Sequence, residues 1–182
     1  MAKAIGMIEY ATVSTGISAT DTMLKTAEVE VIEAQTVCPG KYIAIITGEL
    51  SAVKASVESA KAKFGDKLID TFVLGNPHES VIPAIYGANS VENPKALGIL
   101  ETFSVASMIV AADAAAKTAE VELIELRLAR GMCGKSYLLL TGSVSAVTAA
   151  IERAESEAEG RGMFLDSSVI PRPDKKLWQS IL

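Results

Sequence analysis

Residues 4–34, AIGMIEYATVSTGISATDTMLKTAEVEVIEA, return in pattern as residues 96–126, ALGILETFSVASMIVAADAAAKTAEVELIEL. That recurrence decides how the rest of the chain is read, because a fixed internal period means that one folding unit is used twice. Roughly half of the aligned positions are identical, and over Lys25–Ile32 the copies differ only by Leu123 in place of Val31. Working outward, Thr47-Gly48 stands opposite Thr141-Gly142 after a short insertion, and Ala52-Val53 stands opposite Ala146-Val147. Near the ends, Leu68-Ile69-Asp70 matches Phe164-Leu165-Asp166, and Pro77 matches Pro173. Each copy spans about 90 residues, enough for one small domain. The expected division is residues 1–92 and 93–182.

Within a copy, Ala4–Tyr10 is a short apolar run of strand length. Ser18 or Thr20 is a candidate cap for a helix running through Ala27. Val29–Val37 alternates apolar and polar residues with its phase disturbed at Ile32, and Tyr42–Thr47 is a second apolar run. Cys38-Pro39-Gly40-Lys41 between them reads as the turn of a hairpin. Ser51 is expected to cap a helix to Phe64, with Gly65 in a left-handed terminal position, and Leu68–Leu74 forms the last strand. The order β-α-β-β-α-β predicts an α+β protein of two tandem ferredoxin-like domains, each an antiparallel sheet with two helices on one face. Many functions use that fold, so it settles none.

Composition narrows the field. The chain of 182 residues is 49% hydrophobic and 21% charged, with a formal charge of -5. No apolar run approaches the about 18 residues that cross a bilayer, so no membrane span is expected. An acidic balance offers no basic footprint for nucleic acid. The first residues enter directly into a strand pattern without the apolar stretch of a secretory signal, so a soluble cytoplasmic protein is expected. Cys38 and Cys133 are the two cysteines, and in a reducing compartment thiol, metal or redox roles outweigh a structural disulfide. No GxSxG, phosphate-binding glycine loop or zinc spacing occurs, and His78 is the one histidine, so an enzyme is not expected. Glu9 and Glu101 recur through duplication and read as structural, as does Trp178, an expected anchor for the last segment.

AIGMIE and ALGILE at the domain starts, Asp21-x3-Lys25-x-Ala27 and Asp113-x3-Lys117-x-Ala119, the Thr-Gly then Ala-Val turns, and Val169-Ile170-Pro171-Arg172-Pro173 occur in order across both copies. With these features the chain resembles the BMC shell-protein family of bacterial microcompartments, specifically its tandem-domain trimers. The resemblance implies a homotrimer forming a pseudohexamer, located in a microcompartment shell in the cytoplasm, with other shell proteins as partners. The segment Thr36–Lys41 is similar to that of propanediol-utilisation members in which one cysteine from each of three subunits holds a [4Fe-4S] cluster on the threefold axis. It implies that Cys38 is the metal ligand, one cluster per trimer, serving electron transfer or cluster exchange across the shell with an encapsulated redox enzyme as partner.

Chemistry supports the assignment. Thiolate is the preferred iron-sulfur ligand, and a symmetry axis turns one cysteine into three ligands without a CxxC motif. Pro39, Gly40 and Lys41 would line the pore beside it, joined by Met132, Cys133 and Gly134 of the second copy. Cys133 either supports, competes for or protects the cluster, or is a bystander thiol. Lys25, Lys117 and Arg172 are the implied shell-edge contacts, where long side chains reach a neighbour's carbonyls; Asn76 stands opposite Arg172 in the first copy. Three rival readings remain at this point. They are a metal-free metabolite-conducting pore tile, a trimeric small-molecule sensor, and a thiol enzyme using Cys38, for which the loop offers only Lys41 as a neighbouring base.

Overall fold

The glycine shared by AIGMIE and ALGILE marks where a helix comes closest to its sheet. In the computed structural model, which describes residues 3–182, Gly6 lies on β1 (Lys3–Tyr10) under α2 (Leu50–Phe64). A Cβ at Gly6 would fall 2.6 Å from Val53 Cγ1 and 2.8 Å from Val57 Cγ2. Gly98 on β5 (Ala96–Thr102) has the same relation to Val147 and Ile151 of α5 (Val144–Gly160), each 2.9 Å from the missing Cβ. These valines and the isoleucine seat directly on the strand because no side chain stands between them and the backbone.

The first sheet runs in the order β2-β3-β1-β4, all pairs antiparallel, with β2 at Val29–Val37, β3 at Lys41–Glu49 and β4 at Leu68–Gly75. The second repeats it as β6-β7-β5-β8, with β6 at Val121–Leu128, β7 at Ser136–Gly142 and β8 at Phe164–Ile170. This is the ferredoxin-like order twice over, as the repeat predicts. The helical side of the first sheet is filled by Ala4, Ile8, Tyr10, Ala44 and Ile46 against Ala19 and Met23 of α1 (Val13–Thr26) and Val53, Val57 and Ala60 of α2. The Tyr10 hydroxyl donates to the Ala60 carbonyl at 2.9 Å, so the one polar atom on this largest core residue is satisfied. The disturbed phase at Ile32 is a register shift between Val31 and Glu33, and it recurs between Leu123 and Glu125.

Three local readings change, the first at Ser51, which lies inside α2: that helix begins at Leu50, after Glu49, with no side-chain cap. The helix α1 begins at Val13, preceded by Thr12, well before Ser18 or Thr20. Both hydroxyls instead return to carbonyls four residues back, Ser18 to Ser14 at 3.0 Å and Thr20 to Gly16 at 2.8 Å. A hydroxyl satisfied in this way sits comfortably inside a helix, which removes the reason to place it at the start. Gly65 is right-handed, at φ -56 and ψ -31, because the chain tightens into a 3-10 turn over Gly65–Lys67 rather than reversing. In the second copy Ser104 caps α4 (Val105–Thr118) and Ser143 caps α5, each accepting from a backbone N–H three residues on.

The first unit extends to Pro77 and takes in residues 130–133 of the loop between β6 and β7; the second runs from His78 through Ala129 and from Gly134 to Leu182. The segment 78–95, which contains α3 (Val81–Ile85) and the expected division point, therefore packs as part of the second unit. A last helix, α6 (Lys175–Ile181), has no fully buried residue, and Trp178 on it is half-buried. Among the described residues no helix is long and apolar enough to cross a membrane.

Gly6→Val should lower the free energy of urea unfolding by about 1–3 kcal/mol through overpacking against α2. Gly65→Ala, with right-handed backbone and open space around its Cβ, should raise it by about 0.5 kcal/mol.

Candidate functional site

A hairpin is only as well placed as the strands that carry it. Between β2 and β3 the last paired residues are Val37 and Lys41, leaving Cys38, Pro39 and Gly40 as the tip. Val37 is buried beneath the turn, while Cys38, Pro39 and Gly40 are all exposed. The Cys38–Pro39 peptide is cis, and Gly40 takes φ +80, a left-handed conformation that a side chain would disfavour. Lys41 does not turn into the tip. Its ammonium pairs with Glu9, a carboxylate from the adjacent strand β1 that is almost wholly buried. The turn is thus tied at its base to the central strand, and the recurring Glu9 has a structural partner in this copy. Removing that cation would strand a buried charge.

The corresponding loop of the second copy, residues 129–135, is longer and differently built. Ala129, Gly131, Cys133 and Gly134 all have positive φ. Cys133, at φ +53, is an exposed thiol held in a backbone region that non-glycine residues seldom occupy, and Met132 beside it is half-buried. Residues 130–133 belong with the first unit, and Arg130 accounts for this. Its guanidinium donates to Gln35 Oε1 at 2.7 and 3.0 Å and to Glu33 Oε1 at 3.1 Å.

Why Glu33 needs Arg130 follows from comparing the copies. Its counterpart Glu125 is served within its own sheet by Arg127, at 2.5 Å, and by the Tyr137 hydroxyl, at 2.8 Å. In the first copy those positions hold Gln35 and Ile43, so no cation or phenol is at hand and Arg130 supplies the charge. Burial raises the Glu33 pKa above the usual carboxylate range, and Arg130 offsets part of that rise. One carboxylate oxygen of Glu33 remains buried without a hydrogen-bond partner. Sequence reasoning singled out neither Arg130 nor Glu33; the only signal was that Arg127 and Tyr137 lack counterparts.

Cys38 and Cys133 are both free and exposed, and both tips fall in the first unit. Among the described residues no group of three or more His, Cys, Asp or Glu side chains in one chain could hold a metal ion. A polynuclear cluster bound here would draw its thiolates from several copies, and an exposed cysteine on a rigid turn is suited to that donor set. The three residues expected at shell edges differ in exposure and pairing. Lys25 and Lys117 are both exposed, Lys117 less so; Lys25 is paired with Asp21 at 2.7 Å and Lys117 with Asp113 at 2.7 Å, which is itself buried. Arg172 is exposed beyond β8. His78 has a local role: its backbone N–H donates to Asp113 at 2.7 Å, and its ring Nδ1 contacts the Ser80 hydroxyl at 2.8 Å.

A family model described as the BMC domain matches residues 4–77 and again 96–173. The chain is 41% identical over 182 residues to the bacterial microcompartment shell protein PduT of Citrobacter freundii, covering 100% of this chain and 99% of that protein. It is 31% identical to the carboxysome assembly protein CcmO of Synechococcus elongatus, covering 99% of this chain and 69% of that protein. A crystal structure of a microcompartment protein from Desulfitobacterium hafniense DCB superposes with a TM-score of 0.94 at 45% identity, covering 98% of this chain and 99% of that one.

The raised pKa of Glu33 has a definite sign. Its protonated form contributes stability that is complete below the ordinary carboxylate pKa and is lost as pH rises through the raised one. Thermal melts across the weakly acidic range should show that slope in the unaltered protein and lose it in Glu33→Gln. Arg130→Ala, which removes the cation lowering the pKa, should carry the slope to higher pH.

Proposed function

The chain belongs to the BMC-domain family, and from that membership we propose a trimeric shell tile in which Cys38 of each copy meets the others at the threefold axis to hold one [4Fe-4S] cluster. The coarser part needs no proposal: with two BMC domains in tandem, this is a structural protein of a bacterial microcompartment shell. The observation that carries the finer part is the Cys38 turn itself. An exposed thiol stands on a three-residue tip whose base is fixed by buried Val37 and by the Lys41–Glu9 pair. Three copies supply three thiolates and leave one iron to a non-cysteine ligand. A bound cluster supplies one-electron transfer.

The chain's own residues do the positioning. Pro39 and Gly40 shape the turn, while Lys41 is committed to Glu9 and leaves Cys38 as the one sulfur donor of this tip. Cys133 lies on a tip of different shape and length, so it is assigned a peripheral place, outside the three ligands. Tiling is assigned to Lys25, Lys117 and Arg172, of which Lys25 is the most exposed lysine. The partners that follow are other shell proteins and, for electron transfer, an enclosed redox enzyme.

Iron and acid-labile sulfide, with low-temperature EPR, should be measured on protein prepared or reconstituted anaerobically. About four irons per trimer are expected in the unaltered protein and in Cys133→Ser, and none in Cys38→Ser. Absence of a cluster throughout would leave a tile with a metal-free, metabolite-conducting pore. Separately, Lys25→Asp should abolish extended sheets in electron micrographs while light scattering still reports trimers; sheets that persist would remove Lys25 from the edge.

A further inference from the structure

Duplication makes each copy a control for the other, and the comparison picks out a place away from the hairpin tips. In the second unit a cavity of about 370 Å³ opens where β6 begins and β7 ends, at the opposite end of these strands from residues 129–135. In the first unit the equivalent place, around Glu28, Glu30 and Thr47, holds only about 140 Å³. The repeat aligns those residues with Glu120, Glu122 and Thr141, so the strands alone do not make the larger space. Its wall adds Asn93 and Lys95, from the chain just before β5, and Ser143, which stands where the first copy has Glu49.

The charged groups of this wall are idle. Lys95, Glu120 and Glu122 are exposed, and neither they nor Asn93 have a side-chain hydrogen-bond or ion-pair partner among the described residues. Elsewhere on the chain such groups pair with each other: Lys25 with Asp21, Lys117 with Asp113, Arg153 with Glu157. Here opposite charges share one cavity without closing on each other, which leaves the space between them to a molecule that carries both. The backbones that bear them are held in place. The Thr141 hydroxyl accepts from the Lys95 N–H at 3.0 Å and donates to the Ala96 carbonyl at 2.7 Å, which ties residue 95 to β7. On the other side the Glu120 carbonyl comes within 3.1 Å of where a Cβ on Gly142 would stand, so residue 120 lies against the end of the same strand.

We infer that this cavity binds a small basic amino acid, with the ligand's carboxylate on the Lys95 ammonium and its two ammonium groups on Glu120 and Glu122. The charge count selects that class. One ammonium against two carboxylates leaves the wall with one net negative charge, which a molecule with one carboxylate and two ammonium groups answers group by group. A neutral amino acid leaves one glutamate unanswered, and a diamine sets Lys95 against like charge. A cavity of this size takes a molecule of about ten non-hydrogen atoms, with room for bridging water. The apolar part of the wall is small, chiefly Val121 and Ala146, so affinity comes from charge-assisted hydrogen bonds and falls with added salt. The site lies within one unit and needs neither the cluster nor the trimer.

Calorimetric titration of the full chain at low salt, with L-ornithine as the probe, tests this. L-Ornithine should bind at least about tenfold more tightly than L-norvaline, which lacks the second ammonium, and than 1,4-diaminobutane, which lacks the carboxylate. Lys95→Gln should erase the preference over the diamine, and Glu122→Gln the preference over norvaline. Both variants should keep the circular dichroism melt of the unaltered protein, because both side chains are exposed and unpaired. Glu30→Gln, the same change in the first copy, should leave binding as it was. No binding of L-ornithine up to about 10 mM, equal binding of the three probes, preferences that survive both variants, or loss of binding in Glu30→Gln would each overturn the inference.

Discussion

The close approach of one helix to the central strand of each sheet governs the arrangement. Val53 and Val57 rest on β1 because Gly6 has no side chain, and β1 in turn sits between β3 and β4. Its register against β3 sets Tyr10 opposite Tyr42, which puts Glu9 beside the start of β3 and within reach of Lys41. The tip at residues 38–40 is consequently an extension of the best-packed part of the unit rather than a free loop. Such support matters for any group carried on a tip, because small errors at a hairpin base grow at its end.

Duplication then lets two tips of one scaffold diverge. In the first copy the turn is short, with Pro39 and Gly40 setting its path. In the second, extra residues allow a tip with several left-handed positions, and its Arg130 serves a carboxylate, Glu33, whose own sheet lacks the groups that serve Glu125. Identical tips around a sixfold ring would have to share one chemistry. Two tips carried in one chain need not, since each copy can vary on its own.

Much of this was legible in the sequence because it is written locally. The repeat, the hairpin around Cys38-Pro39-Gly40 and the disturbed phase at Ile32 each follow from a short run of residues, and the strand order follows from β-α-β-β-α-β. The helix start at Val13 was hidden because Ser18 and Thr20 look like caps but bond back to carbonyls within the helix. The five-residue helix α3, carrying Pro83 and lying in a connection, has too little periodicity to read. At the candidate site, the exposed Cys38 was readable from its turn, whereas Arg130 was not, since its partners Glu33 and Gln35 lie nearly a hundred residues away and no local pattern links them.

The same duplication acts as an internal control on exposure. Lys25–Ile32 and Lys117–Ile124 are almost one sequence, yet Val31 is open where Leu123 is closed. A difference in the residues cannot account for that, because both are apolar and occupy equivalent places in β2 and β6. What differs is the covering segment, residues 78–95, present over one face and absent from the other. Apolar side chains such as Ile17 and Leu24, set on the same helix face, gain from leaving water only when something fits over them.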